Sequence, residues 1–487
     1  MTSHYDFIVI GSGPAGRRAA IQAAKLGKSV LVIEQNERVG GVSVHTGTIP
    51  SKTLRETVLN LTGWRERSFY GRAYKAKSDI SADDLKKRLH LTLDHEVDVL
   101  EHQFARNQVT TLHGQARFID PHTIEVQGTE QENLRCSGTR FLIAVGTKPH
   151  RPKDIPFDGK HVLDSDDVLS LKILPKTLAV IGAGVIGLEY ATIFSALDVQ
   201  VTLIEPRATM LDFIDRELID EFIHDLRDRG LVLRMGCKVA TVECEDKTGC
   251  RIHLEDGRLI RADATLFAAG RMGATDDLRL DTCGLEADNR GRLTVDEQSF
   301  QTNVPHIYAA GDVIGFPSLA STSMEQGRIA ACRAFGEAAH EAPAFFPYGI
   351  YAVPEISTIG MTEEETKLRG IPFECGIARF RETSRGQIMG LSNGLLKMIF
   401  AIEDHRLLGV HIVGEGATEL IHIGQAVLNL GGRLDYFVEN TFNYPTLAEA
   451  YKIAALDAWN RMPRASDQGQ VPLEQRQIPL TPPGKVA

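Results

Sequence analysis

The sequence predicts an α/β protein with two Rossmann-like dinucleotide-binding domains, because it contains one pattern twice. The pattern is an apolar strand, a glycine-rich turn, a helix and a second strand that ends in an acid. With 487 residues the chain is too long for a single hydrophobic core, and its length predicts about three domains. Two dinucleotide-binding units and at least one further domain therefore account for the chain.

The first copy of the pattern contains "FIVIGSGPAG", in which residues 7–10 are typical of a buried parallel strand. Gly11, Gly13 and Gly16 then form G-x-G-x-x-G. The first glycine permits the tight turn, the second lets a pyrophosphate approach the backbone, and the third lets the helix pack on the strand. The N-terminus of that helix offers free N–H groups to phosphates. Glu34 ends the second strand, where a carboxylate can accept hydrogen bonds from ribose hydroxyls.

The second copy contains "LAVIGAGVIG", with Gly182, Gly184 and Gly187 at the same spacing and Glu205 at the end of its second strand. A carboxylate at that point favours the free ribose of NAD and repels the 2′-phosphate of NADP. Arg207, two residues further on, could instead bind that phosphate. We expect NAD(H) to bind better and NADP(H) to be accepted as well. Two dinucleotides held by one chain indicate electron or hydride transfer.

Three further apolar strands end at a glycine. "FLIAVGTKP" contains Gly146 and "ATLFAAGRMGAT" contains Gly270, and each could close a nucleotide-binding domain. "IYAAGDVIG" leads to Asp312, which is placed to bond a ribitol or ribose hydroxyl. The N–H groups of the helix that begins near Ala320 could face the pyrimidine edge of a flavin, where the helix dipole would stabilise negative charge.

These stretches resemble the flavoprotein disulfide reductase family of glutathione reductase and dihydrolipoamide dehydrogenase. The resemblance runs from Tyr5 to about Arg461. "GTIPSK", "GAGVIGLEYA", "GFPSLAS", "VPEIS", "ELIHIGQA" and "FNYPTLAEAY" resemble the soluble pyridine nucleotide transhydrogenase branch of that family. The resemblance implies FAD and NAD(P) as cofactors.

The resemblance also implies an order of domains. An FAD-binding domain occupies residues 1–150 and resumes at 274–345, after an inserted NAD(P)-binding domain at 151–273. An α+β C-terminal domain at 346–462 is expected to form a homodimer. The final segment, 463–487, is rich in Pro and Gln, and we expect it to be a mobile tail.

The sequence departs from this family at its redox centre. The disulfide reductases carry Cys-x4-Cys where this chain has Ser43 and Thr48, and a proton-transferring His paired with a Glu where it has Tyr444 and Glu449. The transhydrogenase branch has a cysteine at the position of Ser43 and a threonine at that of Thr48, so Ser43 departs from both patterns. A serine hydroxyl cannot relay an electron pair, because it forms no reversible oxygen–oxygen bond.

A charged pair remains at this centre. The resemblance places Lys52 beside the reactive nitrogen of the flavin and makes Glu189 its ion-pair partner, and we predict that these two are the catalytic residues. A cation there favours the reduced flavin. Gly41 and Thr48 are predicted to contact the same cofactor. Val185 lies where some relatives hold an aromatic gate over the nicotinamide pocket.

The predicted function is FAD-dependent hydride transfer between NADPH and NAD⁺ by a ping-pong mechanism, without a redox disulfide. Two alternatives stay open. The chain could be an NAD(P)H:acceptor reductase whose second substrate is a quinone-like molecule, or a flavin-binding scaffold or sensor of weak activity. NADH and NADPH are its expected partners in each enzymatic case.

Composition excludes several other functions. The net charge of −10 argues against nucleic-acid or anionic-membrane binding, and no run of apolar residues is long enough to span a bilayer. Seven scattered cysteines without C-x-x-C favour a cytoplasmic location, and no His/Cys/Asp cluster has the spacing of metal ligands. The only close cysteine pair, Cys244 and Cys250, lies in a hairpin-like polar stretch, and we expect it not to be redox-active.

Overall fold

The structure is a computed structural model that describes residues 3–71, 73–128, 133–245, 249–339 and 345–462. The predicted tail at 463–487 lies outside the described residues. The predicted α/β class is confirmed: two sheets built on parallel strands, each flanked by helices, precede an antiparallel sheet with its own helices.

The first unit is built on a sheet in which β1 is the central strand. Its elements are β1 (Ser3–Ile10), α1 (Pro14–Lys25), β2 (Val30–Glu34), α2 (Gly41–His45), α3 (Thr48–Leu61), α4 (Arg67–Tyr70), α5 (Ala82–Arg106), β3 (Thr110–His113), β4 (Gln115–Asp120), β5 (Thr123–Gln127), β6 (Leu134–Ile143) and β7 (Thr147–Pro149). The parallel strands follow the order β3-β2-β1-β6, and β4 and β5 extend the sheet in antiparallel fashion. Because β2 and β6 lie on opposite sides of β1, a crevice opens at the carboxyl end of β1.

The second unit repeats this arrangement. Its elements are β8 (Val162–Leu163), β9 (Thr177–Ile181), α6 (Val185–Ala196), β10 (Gln200–Glu205), α7 (Arg216–Asp228), β11 (Val232–Met235), β12 (Val239–Glu245), β13 (Gly249–Leu254), β14 (Leu259–Ala262), β15 (Ala264–Phe267) and β16 (Arg271–Gly273). The parallel order is β11-β10-β9-β15-β8, so β9 lies where β1 lies in the first unit.

The chain crosses between these two units twice, and the crossing strands β7 and β16 pair with each other. The chain then adds β17 (Ile307–Ala309) and α8 (Ala320–Ala334) to the first unit, where β17 extends the parallel sheet beside β6. The predicted domain boundaries at residues 150 and 273 lie next to this crossing and remain predictions.

The C-terminal unit is an antiparallel sheet covered by helices. Its elements are β18 (Tyr348–Ile350), β19 (Ile356–Gly360), α9 (Glu363–Leu368), β20 (Phe373–Arg379), α10 (Ser384–Ile388), β21 (Leu395–Ala401), β22 (Leu407–Val413), α11 (Ala417–Asn429), α12 (Leu434–Glu439) and α13 (Glu449–Arg461). The strand order is β18-β19-β22-β21-β20. Every residue of β21 and β22 is buried, and both strands are apolar apart from Lys397 and His411.

One cluster of buried side chains joins all three units. Leu54 and Val58 enter it from α3, Leu188 enters it from α6, and Ile350 and Val353 enter it from the start of the C-terminal unit. Burial of such contiguous apolar surface is the main stabilising term in folding, so the three units are packed against one another at this point. The candidate site lies at the same junction.

The close cysteine pair lies where the sequence predicted a hairpin. That hairpin is β12–β13, with Cys244 directly opposite Cys250 and a disulfide joining the two. The expectation that the pair is not redox-active stays a prediction. The five other cysteines are free thiols. Within the described part of the chain, no helix is both long and apolar enough to cross a bilayer.

Candidate active site at the junction of three units

The glycines of the first fingerprint occupy the positions that a dinucleotide requires. Gly11 has φ of +100°, and a Cβ there would lie 2.4 Å from the carbonyl oxygen of Ala144. A Cβ on Gly16 would lie 1.9 Å from the Gly11 oxygen, so only glycine permits this approach of helix and turn. A Cβ on Gly13 would meet no atom within 4 Å. Space is therefore free beside the N-terminus of α1, which has no side-chain cap.

A long groove runs from this turn across the first unit. Its lining includes Ser12, Gly13, Glu34, Asn36, Gly41, Ser43, Thr48, Gly146, Asp312, Ala320 and Ser323. The groove thus passes the cofactor-binding residues predicted for the first unit, except Gly16, from the acid that ends β2 to the start of α8. An elongated groove with a carboxylate at one end and a glycine turn beside a helix N-terminus fits a dinucleotide such as FAD.

The acid at the end of β2 is held by neutral donors. One oxygen of Glu34 accepts hydrogen bonds from the backbone N–H of Ser12 at 3.1 Å and from its hydroxyl. The other oxygen accepts from the backbone N–H and the side-chain amide of Asn36, both at 3.0 Å. Glu34 is almost completely buried, so its orientation toward the groove is fixed. Ser12 and Asn36 were not predicted from the sequence, although polar residues beside the turn and after the acid were a usable signal.

The opposite end of the groove is formed by Asp312 and α8. Burial raises the pKa of Asp312, with the nearby Arg271 and a hydrogen bond from Ser323 acting against that shift. No side chain caps the N-terminus of α8, where Ala320 lines the groove. Its first N–H groups therefore remain available to a ligand, as predicted for the pyrimidine edge of a flavin.

The second fingerprint has the same geometry as the first. Gly182 has φ of +105°, and a Cβ there would lie 2.7 Å from the oxygen of Ala268. A Cβ on Gly187 would lie 1.9 Å from the Gly182 oxygen, whereas one on Gly184 would meet nothing within 4 Å. Gly270 has φ of +115° and open space beside it. The second unit therefore also offers an uncapped helix N-terminus, that of α6, to a pyrophosphate.

The acid at the end of β10 is bonded to a cation. Glu205 accepts a hydrogen bond from the backbone N–H of Ala183 at 2.7 Å and another from Nε of Arg207 at 2.8 Å. Burial opposes ionisation, but these hydrogen bonds outweigh it and lower the pKa of Glu205. Arg207 is half-exposed and also lies 3.5 Å from Asp212. Both residues thus lie at the end of β10, where the ribose of a bound nucleotide would be recognised.

Lys52 and Glu189 come together across two units. Thr48, which lines the groove, and Lys52 are four residues apart on α3 and share one helix face. The ammonium of Lys52 lies 2.8 and 2.9 Å from the two oxygens of Glu189 on α6. Glu189 is buried, whereas Lys52 keeps about a quarter of its side chain exposed. The pair therefore places one cation a helical turn beyond Thr48, which lines the groove, and between the two fingerprint units.

The C-terminal unit supplies a third component that the sequence did not reveal. The backbone N–H of Tyr351 donates to Glu189 at 2.9 Å, and its ring centroid lies 4.8 Å from the ammonium of Lys52. Tyr351 belongs to another unit, and no local pattern marks it. Only the packing of the three units brings it to the site.

Hydroxyl side chains occupy the two positions that correspond in sequence to the redox dithiol of the disulfide reductases. Ser43 is buried and donates to the carbonyl of Gly40 at 3.1 Å, and Thr48 is the first residue of α3. Among the described residues that line the groove there is no cysteine. Tyr444, at the predicted position of the family's histidine, is mostly exposed and shares a hydrogen bond with Ser384 at 2.5 Å. Glu449 begins α13.

The two dinucleotide-binding folds meet at the Lys52–Glu189 pair. This arrangement defines an oxidoreductase that works with two nucleotide cofactors. Residues 5–327 match the pyridine nucleotide-disulphide oxidoreductase family, and residues 346–455 match the dimerisation domain of that family. The chain belongs to this family. It is a flavoprotein oxidoreductase that uses FAD and NAD(P).

Known proteins of the same length resemble this chain over nearly all of it. It is 51% identical to the soluble pyridine nucleotide transhydrogenase of Mycobacterium tuberculosis, over 95% of this chain and 99% of that protein. It is 43% identical to the enzyme of that name from a Marinomonas species, with coverage of 95% and 99%.

Solved structures share the fold. The HOCl-induced flavoprotein disulfide reductase RclA from Escherichia coli superposes with a TM-score of 0.83 at 28% identity, over 93% of this chain and 99% of that one. LpdA from Mycobacterium tuberculosis superposes with a TM-score of 0.85 at 24% identity and the same coverage, a likeness of fold alone.

Proposed function

We propose that this protein transfers hydride between NADPH and NAD⁺, with FAD as its only redox group. The observation that carries the proposal is the chemistry of the groove beside Lys52. The side chains there that correspond to a redox dithiol are the hydroxyls of Ser43 and Thr48, which cannot store an electron pair. The names of the relatives at 51% and 43% identity support the same activity.

The residues of the chain bind and orient the nucleotides. Gly13 and Gly184 leave the helix N-termini of α1 and α6 open to the two pyrophosphates, and Glu34 and Glu205 are placed to receive ribose hydroxyls. Bound FAD supplies a ring that can accept a hydride from one nicotinamide and return it to another. No side chain has to act as an acid or a base, because orientation of the two rings is sufficient.

Lys52 and Glu189 are proposed as the catalytic pair. A cation beside the groove stabilises negative charge that develops there, and the burial of Glu189 limits the screening of the pair by water. Glu189 holds the ammonium with two hydrogen bonds of ordinary length, which favours one position of the charge before substrate binds.

The exchange is proposed to follow a ping-pong order. A reduced nucleotide binds to the second unit, gives up its hydride and leaves, and an oxidised nucleotide of the other type enters the same pocket. One pocket must then accept a ribose with and without a 2′-phosphate. The Glu205–Arg207 pair offers a carboxylate for the first ribose and a cation for the second. The matched dimerisation domain supports a homodimer, and we place the enzyme in the cytoplasm.

Anaerobic mixing tests the proposal. Addition of NADPH should bleach the visible flavin band of the purified holoenzyme, and NAD⁺ added afterwards should restore it and yield NADH. Prior alkylation with iodoacetamide should leave both phases unchanged, since thiols take no part. Bleaching without recovery by NAD⁺, but with recovery by a soluble quinone, would instead identify an acceptor reductase. Absence of bleaching would leave only a flavin-binding scaffold.

A further inference from the structure

We propose that Tyr351 is a positioning residue, which holds the ammonium of Lys52 in place beside the groove. The proposal rests on the function proposed above, because it concerns the same cation. Its basis is that Lys52 has partners of different kinds: the carboxylate of Glu189, the hydroxyl of its neighbour Ser51 at 3.3 Å, and the aromatic ring of Tyr351.

The carboxylate alone leaves the lysine incompletely enclosed. Glu189 is buried on α6, whereas the side chain of Lys52 keeps 27% of its surface exposed. A flexible lysine chain with one partner can rotate toward water, because an ammonium is strongly hydrated. The ring of Tyr351, centred 4.8 Å from Nζ, attracts the ammonium electrostatically and covers part of it.

Tyr351 is itself held firmly enough to perform this role. Its N–H is bonded to Glu189, and the next two residues are fixed by neighbouring units. The carbonyl of Ala352 accepts a hydrogen bond from Nε of the buried Arg55 at 3.1 Å. The N–H of Val353 donates to the hydroxyl of Thr192 at 3.0 Å. The segment thus bonds to α3 and α6, the two helices that carry Lys52 and Glu189.

The ring and the backbone of Tyr351 can be separated experimentally. Any substitution except proline keeps the N–H that bonds to Glu189. The hydroxyl of Tyr351 also shares a hydrogen bond with Thr418, so Y351F, which loses only this bond, is compared with Y351L, which loses the contact with Lys52 as well. Y351F retains the aromatic face and Y351L does not. Y70L is the matched control, because Tyr70 is 67% exposed on α4, next to Tyr74.

The test uses the holoenzyme and two measurements that do not depend on turnover. The first is the midpoint potential of bound flavin, determined by equilibration with reference dyes. The second is the rate at which acetic anhydride acetylates Lys52, followed by mass spectrometry with Lys28 as internal reference. We expect Y351L to lower the flavin potential, in the same direction as K52M, and to raise Lys52 acetylation about fivefold. Y351F and Y70L should match the wild type in both.

A double-mutant cycle decides whether Tyr351 acts through Lys52. In a K52M background, Y351L should cause no further change in potential. The proposal is overturned if Y351L changes neither quantity, if Y351F behaves like Y351L, or if Y351L and K52M have additive effects on the potential. The outcome is independent of transhydrogenation, because neither measurement requires NAD⁺ to be reduced.

Discussion

At the scale of single residues, the two fingerprint units can be compared with each other for nucleotide recognition. Asn36 and Arg207 follow the acids of the two fingerprints by two residues, and each donates both a backbone and a side-chain hydrogen bond to its acid. They differ in charge. The neutral amide stands in the unit proposed to bind FAD, whose ribose carries no 2′-phosphate, and the cation stands in the unit proposed to accept NADP(H).

The substitution R207N, which copies the FAD unit, therefore has a defined expected result. The KM for NADPH should rise about tenfold or more, because the 2′-phosphate loses a cation and still faces Glu205. The KM for NADH should change less than about twofold, since asparagine can still bond the acid as Asn36 does. Steady-state kinetics with each nucleotide measure both. R216N, at an exposed cation of α7, is the control. An equal rise for both nucleotides would mean that Arg207 only orders the loop.

At the scale of elements, the hairpin β12–β13 carries a covalent link that can be counted. Seven cysteines are present and five are free, so protein denatured without reductant should give five thiols with Ellman's reagent and seven after reduction. Closing so short a loop reduces the entropy of the unfolded chain, and its loss in C244S/C250S should cost about 2 kcal/mol. Urea unfolding compares the variants. Seven thiols before reduction would show that the link does not form in solution.

The elements also show what sequence patterns can predict. The fingerprints were predictable because their physics is local: Gly11 and Gly182 need positive φ, and Gly16 and Gly187 allow contact with the preceding turn. The Cys244–Cys250 hairpin was recognised as a hairpin, yet whether its thiols join depends on cross-strand register, which the sequence does not state. Each local backbone requirement produced a residue pattern at fixed spacing in the sequence. The pairing between strands produced no such pattern.

At the scale of the whole molecule, the site depends on contacts between units that are distant in sequence. Lys52, Glu189 and Tyr351 come from three units, and their order along the chain does not reveal that they meet. The resemblance to a known family supplied the first two residues and no signal supplied the third. Positioning of the second unit against the C-terminal unit is therefore as important for the site as the fingerprints are.

A buried ion cluster fixes that positioning. Lys397 on β21 is 1% exposed, and its ammonium lies 3.0 Å from Asp215, 3.1 Å from Glu217 and 2.5 Å from Glu363. Asp215 caps α7 of the second unit, whereas Glu363 begins α9 of the C-terminal unit. One cation thus links the two units through three carboxylates. Removing it would leave the fully buried carboxylate of Asp215 without its compensating cation, which is strongly destabilising.

We therefore expect K397M to lower the Tm at pH 7 by about 10 °C, with a rise in the KM for nucleotides because the second unit is less firmly placed.

This effect should depend on pH through Glu363. Burial favours the protonated form of Glu363, but hydrogen bonds from Lys367 and Lys397 outweigh burial and lower the pKa of this carboxyl to about 2 from an ordinary value of 4.5. A carboxyl group whose pKa is lower in the folded than in the unfolded state stabilises the fold at pH values above the unfolded-state pKa. This contribution is lost as pH falls from about 4.5 toward 2. The difference in Tm between wild type and K397M should accordingly shrink over that interval in scanning calorimetry.

K238M is the control. It removes only an exposed pair with Glu255 and should shift the Tm little, both at pH 7 and within the acidic interval. A pH-independent difference for K397M would mean that packing of the lysine stem, and not its charge, joins the two units.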